Sequence, residues 1–137
     1  MVTFSLDTNV IVELLRGRRE SVRSRFDEAR TEERPLRASL IVLHELLFGA
    51  ENGPRPEADR KAVFRILANI SVEPLDVEDI TVAAHVRAQL RRLGTPIGAY
   101  DLFIAGQALA RGWTLITANT REFSRIEGLK VIDWTAA

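Results

Sequence analysis

Apolar residues recur along this chain with two alternating periods, and the alternation predicts a layered α/β fold. Residues 2–6 read as a buried strand, and Thr8-Asn9 as a turn that caps a helix through Leu15. Gly17 ends that helix, and residues 21–33 continue as a polar helix with Val22 and Phe26 facing inward. Pro35 breaks the chain before a strand at 36–39. Residues 41–50 form the next helix, stopped by Asn52-Gly53-Pro54. Residues 57–68 are helical, with Val63, Phe64 and Leu67 on one side, and 70–75 are a strand. Asp76 and Asp79 look like an N-cap and a first-turn acid for a long helix to Leu93. After a loop at 94–98, residues 100–110 form an apolar helix ended by Gly112. Strands at 114–117 and 130–132 complete the set, separated by a helical turn near 122–125.

Strands alternating with helices predict a parallel sheet covered on both faces, an α/β/α sandwich. Ligand sites in such sheets lie beyond the carboxyl ends of the strands. Asp7 sits there by position, and Thr117-Ala118-Asn119 leaves the end of another strand. With no internal repeat, low-complexity segment or linker, residues 1–137 are expected to form a single domain.

Three acids interrupt the apolar pattern. Asp7 ends the run Phe4-Ser5-Leu6, Glu45 lies between Ile41 and Phe48 on one helical face, and Asp101 shares a face with Ile104, Ala105, Ala108 and Leu109. A carboxylate on a core-facing stripe is costly unless a cation compensates it. No Lys lies within a few residues of any of the three, and no Arg lies in their motifs. A divalent metal is the economical partner for converging carboxylates, since hard cations choose oxygen ligands. Each acid has a plainer reading. Asp7 can cap the following helix, although Thr8 or Asn9 can do that equally well. Glu45 can be a surface acid at the edge of the stripe, and Asp101 a first-turn acid favoured by the helix dipole. Three such acids at the same end of one sheet favour a metal-dependent hydrolase.

Composition narrows the setting. The chain has no cysteine, which excludes disulfides and thiolate metal sites and fits a cytoplasmic protein. Its two histidines, His44 and His85, make no zinc-type cluster and read as surface or hydrogen-bonded residues. No signal peptide or membrane span is read from the pattern. Nineteen basic and nineteen acidic residues cancel, so net charge alone gives no support for nucleic-acid binding. The distribution gives some, because Arg16, Arg18, Arg19, Arg23 and Arg25 crowd one stretch, and Arg87, Arg91 and Arg92 another. Solvated helix faces explain each cluster equally well. Trp113 and Trp134 read as core contacts rather than base-stacking platforms.

Five ordered motifs carry a resemblance. They are Leu6-Asp7-Thr8-Asn9-Val10, Leu43-His44-Glu45-Leu46-Leu47-Phe48-Gly49, and Pro96-Ile97-Gly98-Ala99-Tyr100-Asp101-Leu102-Phe103-Ile104-Ala105. Thr117-Ala118-Asn119-Thr120-Arg121-Glu122-Phe123 and Gly128-Leu129-Lys130-Val131-Ile132-Asp133-Trp134 follow. Together they resemble PIN-domain ribonucleases, and more closely the VapC toxins of VapBC toxin–antitoxin systems. The resemblance implies a Rossmann-like PIN domain that cleaves RNA with magnesium, or manganese as a substitute. It implies Asp7 and Asp101 as principal metal ligands, with Glu45 completing the acidic cluster. It also implies a VapB-like antitoxin, a homodimer, contact with promoter DNA only through the antitoxin, and no membrane. Transfer RNA is the implied substrate, initiator transfer RNA first.

The fourth motif departs from the commonest PIN pattern, with Asn119 where many relatives have Asp and an acid, Glu122, three residues later. Glu122 is therefore a candidate catalytic acid. A capping box formed by Asn119 and Glu122 explains the same spacing. Thr8, Thr117 and Asn119 are candidates for orienting water or a carboxylate. Two rivals remain. A phosphatase of the haloacid dehalogenase type needs an acid two residues after its nucleophilic Asp, where this chain has Asn9. A regulatory module that binds a partner and cleaves little would keep its function when the acids are replaced.

Overall fold

The computed structural model describes residues 1–136. Its strands are β1 (Phe4–Leu6), β2 (Leu36–Ser39), β3 (Ser71–Glu73), β4 (Thr114–Ile116) and β5 (Lys130–Ile132). They are joined by α1 (Thr8–Arg16), α2 (Glu20–Thr31), α3 (Leu40–Glu51), α4 (Pro56–Leu67), α5 (Val77–Arg92), α6 (Ala99–Arg111) and α7 (Thr120–Phe123). All pairings are parallel, in the order β3-β2-β1-β4-β5. The chain steps outward from β1 to β3, then crosses back to the other side of β1. Because such crossovers are right-handed, α1–α4 cover one face and α5–α7 the other. The expected α/β/α sandwich is the observed fold. The reversal opens a crevice at the carboxyl ends of β1 and β4.

Register places the chemistry. Leu6 pairs with Ile116, so Asp7 and Thr117 leave adjacent strands side by side. The Asp7 N–H donates to the Ile116 carbonyl at 2.9 Å, which extends the ladder up to the acid itself. Beneath it Leu6, Val10, Ile11, Leu115, Ile116 and Phe123 are fully buried. Each such side chain contributes about 1.5–3 kcal/mol. Trp134 is also buried and meets Phe4 edge-on at 5.7 Å, the closing core contact its position predicts.

Local chemistry sets most element limits. Gly17 at φ 65° and Gly112 at φ 70° end α1 and α6 in the left-handed region that favours glycine. Asp76 and Asp79 make a full capping box at the start of α5. Two expectations need correction. The cap of α1 is Asp7, whose side chain accepts the Thr8 N–H, while Thr8 and Asn9 lie inside the first turn. Phe64 is 52% exposed and does not share the buried side of α4 with Val63 and Leu67.

The helix carrying Asp101 is fixed from its far end. A Cβ on Gly106 would lie 2.6 Å from the Ala83 Cβ, so α6 and α5 cross with almost no side chain between them. Arg111 then reaches the buried Asp79 with both arms, at 2.7 and 3.2 Å, and donates to the Pro74 carbonyl at 2.8 Å. Burial alone pushes the Asp79 carboxyl up, but the Arg111 fork and the Asp76 backbone N–H outweigh it and hold it below the ordinary range. Gln107 donates to the Glu73 and Pro74 carbonyls, leaving its own buried carbonyl oxygen without a partner. These contacts tie α6 to the β3–α5 connection. Among the described residues no helix is long and apolar enough to cross a membrane.

Candidate active site

Four sequence-distant acids gather at the crevice. Asp7 leaves β1, Glu45 lies in α3, Asp101 in the first turn of α6 and Glu122 in α7. Asp7 is 4% exposed, and the other three are half-buried. Their proximity appears as electrostatics. Burial pushes the Asp101 carboxyl up to about 6, with repulsion from Asp7, Glu45 and Glu122 adding to it. Burial also raises Asp7 and repulsion from Glu45 adds to that, while hydrogen bonds from Thr117, the Thr8 backbone and Asn9 pull the other way. Among the described residues none of the four acids is in an ion pair.

Each acid except Asp101 is held by a neutral donor. The Thr117 hydroxyl donates to Asp7 Oδ2 at 2.8 Å, and the Asn9 amide to the same oxygen at 3.0 Å. Asn9 also donates to the Thr117 hydroxyl and accepts the Ala118 N–H at 3.0 Å, which stitches the end of β1 to the end of β4. The Thr8 hydroxyl donates to Glu45 Oε1 at 2.7 Å, tying α1 to α3. The Asn119 amide donates to Glu122 Oε2 at 3.2 Å. Thr8, Thr117 and Asn119 thus each touch an acid, as expected of orienting groups. Asn9 was missed as such a group. Its signal was its place two residues after Asp7, where the amide folds back on the carboxylate.

The capping-box reading of Asn119 and Glu122 is corrected. Asn119 makes no side-chain cap to α7, and its backbone sits at φ −87°, ψ 54°. The contact is side chain to side chain, so the spacing serves the acid rather than the helix end.

Among the described residues no three acidic or histidine side chains stand in a geometry that closes round an ion. Glu45 and Glu122 each keep one oxygen free of neighbouring donors among the described residues, and Asp101 keeps both. The donor set nevertheless fits a hard divalent cation. It consists of carboxylates with no thiolate, and their mutual repulsion has no protein cation to relieve it. An open cavity of about 280 Å³, lined by Glu45, Gly98, Ala99, Tyr100 and Asp101, gives access.

The arginine clusters divide. Arg19 and Arg23 face Glu13 and Asp27, which supports the solvated-helix reading for them. Arg87 and Arg91 are exposed, in no ion pair among the described residues, and rim a cavity of about 310 Å³ beside Ala99 and Leu102.

A PIN-domain family model matches residues 5–129, from β1 into the turn before β5. The chain belongs to the PIN-domain family. Within it the chain is a VapC-type PIN domain, 36% identical over 135 residues to the tRNA(fMet)-specific endonuclease VapC of Shigella flexneri. That match covers 98% of this chain and all of the relative. The crystal structure of DNA-bound VapBC from Salmonella typhimurium superposes with a TM-score of 0.90 at 37% identity, covering 98% of this chain and 99% of that one. VapBC2 from Rickettsia felis, bound to a DNA fragment from its promoter, gives 0.91 at 26% identity, with 97% and 99% covered. The PIN fold expected from the motifs is therefore the fold observed.

Proposed function

We propose that this chain is the toxin endoribonuclease of a VapBC-type pair, hydrolysing RNA phosphodiester bonds with magnesium or manganese and silenced by a VapB-like antitoxin. One observation carries the reading: four carboxylates meet at the sheet's reversal point with no protein cation among them. Asp7 and Asp101 are the proposed metal ligands, with Glu45 and Glu122 completing the acidic set. A divalent cation held there would supply Lewis acidity towards water and the phosphate. Thr117 and Asn9 hold Asp7, Thr8 holds Glu45, and Asn119 holds Glu122, so these three carboxylates keep a fixed aim. Arg87 and Arg91 offer phosphate contacts beside α6. Residues 1–137 act as one PIN domain in this reading.

Transfer RNA is the proposed substrate, the initiator form first, because the Shigella flexneri relative is a tRNA(fMet)-specific endonuclease. The antitoxin has a place to bind. A groove of about 340 Å³ between α1, α3 and α4, with Val12, Leu15, Leu46 and Val63 in its lining and the charged Arg16 and Asp59 beside them, runs up to Glu45. A basic side chain delivered along it would meet the acids directly, and an arginine pairs bidentately with carboxylates. Promoter DNA would be reached only through that partner. Exposed Phe48 and Phe64 leave apolar surface for a homodimer. A cytoplasmic setting suits this chemistry.

The test is the chemistry of the cut ends. Hydrolysis by water leaves 5′-phosphate and 3′-hydroxyl ends, whereas attack by the ribose 2′-hydroxyl leaves a cyclic phosphate. Purified protein should yield the former and stop in excess chelator. Cyclic phosphate ends, or undiminished cleavage with chelator, would rule the mechanism out.

Glu122→Gln separates catalysis from structure. With no cap at α7 to lose, this variant should melt within a degree or two of the parent while its metal-dependent cleavage falls at least tenfold. Unchanged turnover and metal dependence would remove Glu122 from the acidic set.

A further inference from the structure

Two exposed rings stand beside the acids with no part in the chemistry so far. Tyr100 is 47% exposed and immediately precedes Asp101. His44 is exposed and immediately precedes Glu45. The rings meet edge to face, with centroids 5.5 Å apart and planes at 79°. The Tyr100 hydroxyl lies 3.4 Å from His44 Nε2, in a bond whose donor depends on the histidine tautomer. Helices α3 and α6 thus each contribute one acid to the site and one ring to its rim. Tyr100 lines the same 280 Å³ cavity as Glu45 and Asp101.

The exposure leaves the Tyr100 ring open beside the acids. An aromatic ring left half in water gives up hydrophobic stabilisation that burial would supply. An edge-to-face pair occupies only one of its four ring faces, so the assembly is braced but still open to a further partner. The partner must reach a pocket that handles a phosphodiester. Unpaired RNA bases are planar, expose both faces once unstacked, and are read by single-strand binders through stacking on aromatic side chains. A base in a duplex offers no free face. The neighbouring chemistry is also suitable, since one nucleotide's phosphate and base are joined by a short ribose linkage.

We propose that Tyr100, braced by His44, is the platform on which an unpaired RNA base stacks at the mouth of the acidic pocket. The ring holds the substrate by one base at the rim, leaving the reacting groups to the acids. This rests on the ribonuclease reading above and adds a residue that binds the substrate outside the acidic set.

Tyr100 is the sole tyrosine of the chain, which gives an unusually clean probe. Protein labelled with 3-fluorotyrosine carries one fluorine, on that ring. In an Asp7→Asn background, a single-stranded RNA containing the cleavage sequence should move the fluorine resonance, and the same sequence in duplex should not. In the otherwise unaltered protein, Tyr100→Ala should raise KM for RNA about 5- to 150-fold, the range for loss of one base–aromatic stack. Its kcat should fall less than about threefold, because the reacting groups stay in place. Tyr100→Phe, which keeps the ring, should restore KM to within about threefold of the parent. A KM unchanged in Tyr100→Ala, or a resonance unmoved by RNA that the protein cleaves, overturns the platform and leaves the ribonuclease reading standing. So does a drop in sedimenting mass for Tyr100→Ala, which would make the ring a subunit contact. If the unaltered protein cleaves no RNA with any divalent metal, the ribonuclease reading falls and the platform falls with it.

Discussion

Asp101→Asn should reduce metal-dependent RNA cleavage by more than about 100-fold while making the metal-free protein more stable at neutral pH. Loss of a group that merely supports a metal ligand costs about 10–100-fold, so loss of a ligand itself should exceed that. The stability half follows from the charge cluster. Burial, with Asp7, Glu45 and Glu122 as neighbours, raises the folded carboxyl from 3.8 to about 6. Below pH 3.8 the group is neutral in both folded and unfolded chains and costs nothing. As pH rises from 3.8 towards 6 the unfolded chain releases the proton first, so stability falls, and above 6 the penalty is complete. Asparagine removes the penalty, and no hydrogen bond to Asp101 is lost among those of the described residues. In chelator, the variant should therefore melt above the parent at pH 7.5 and level with it at pH 3.5. A variant that cleaves like the parent ends the assignment of Asp101. One that melts lower at pH 7.5 shows that the acids do not repel. Asp7→Asn is a less clean experiment, because the new amide would face the Asn9 amide that now donates to Asp7.

The largest loss of stability should come from Arg111→Ala. It leaves the Asp79 carboxylate, 1% exposed, without its bidentate partner. Breaking one side of a buried pair costs about 3–5 kcal/mol, or a fall of about 10–17 °C in Tm for a chain of this size. The pH dependence has the opposite sign to that of Asp101. Asp79 is held below its ordinary value, so its contribution is present above about pH 3.8 and disappears as pH falls through the folded value. The gap between Arg111→Ala and parent in urea titrations should therefore be wide at pH 7 and shrink steadily as pH falls below about 3.8. Replacing both partners, Asp79→Asn with Arg111→Met, should recover part of the loss, since no buried charge is then orphaned and the asparagine oxygen still accepts the Asp76 N–H. A double variant less stable than Arg111→Ala would contradict this account.

The strands and helices were legible because hydrophobic period changes sharply along the chain, and most observed limits lie within a residue or two of the expected ones. Leu75 and Thr117 fall just outside strands because connections to the next elements begin there. Three of the acids were legible for a different reason: each sits where the pattern asks for an apolar residue. What remained hidden was pairing at long range. Nothing near Asp79 in sequence points to Arg111, 32 residues away, so a buried ion-paired carboxylate read as a first-turn acid. Asn119 and Glu122 have capping-box spacing, but the local backbone turns the amide towards the carboxylate instead. Spacing gives proximity; the direction of a side chain is set by tertiary contacts.

The strand order also has a consequence in time. The second-last strand, β4, lies inside the sheet against the first, and the acids stand at positions 7, 45, 101 and 122. A chain emerging from the ribosome can form α1 early, yet Asp7 has neither Thr117 nor Glu122 near it until residues beyond 122 have been made. Contacts of such wide sequence separation form late in folding. A copy cut short before β4 therefore cannot assemble the four-acid crevice.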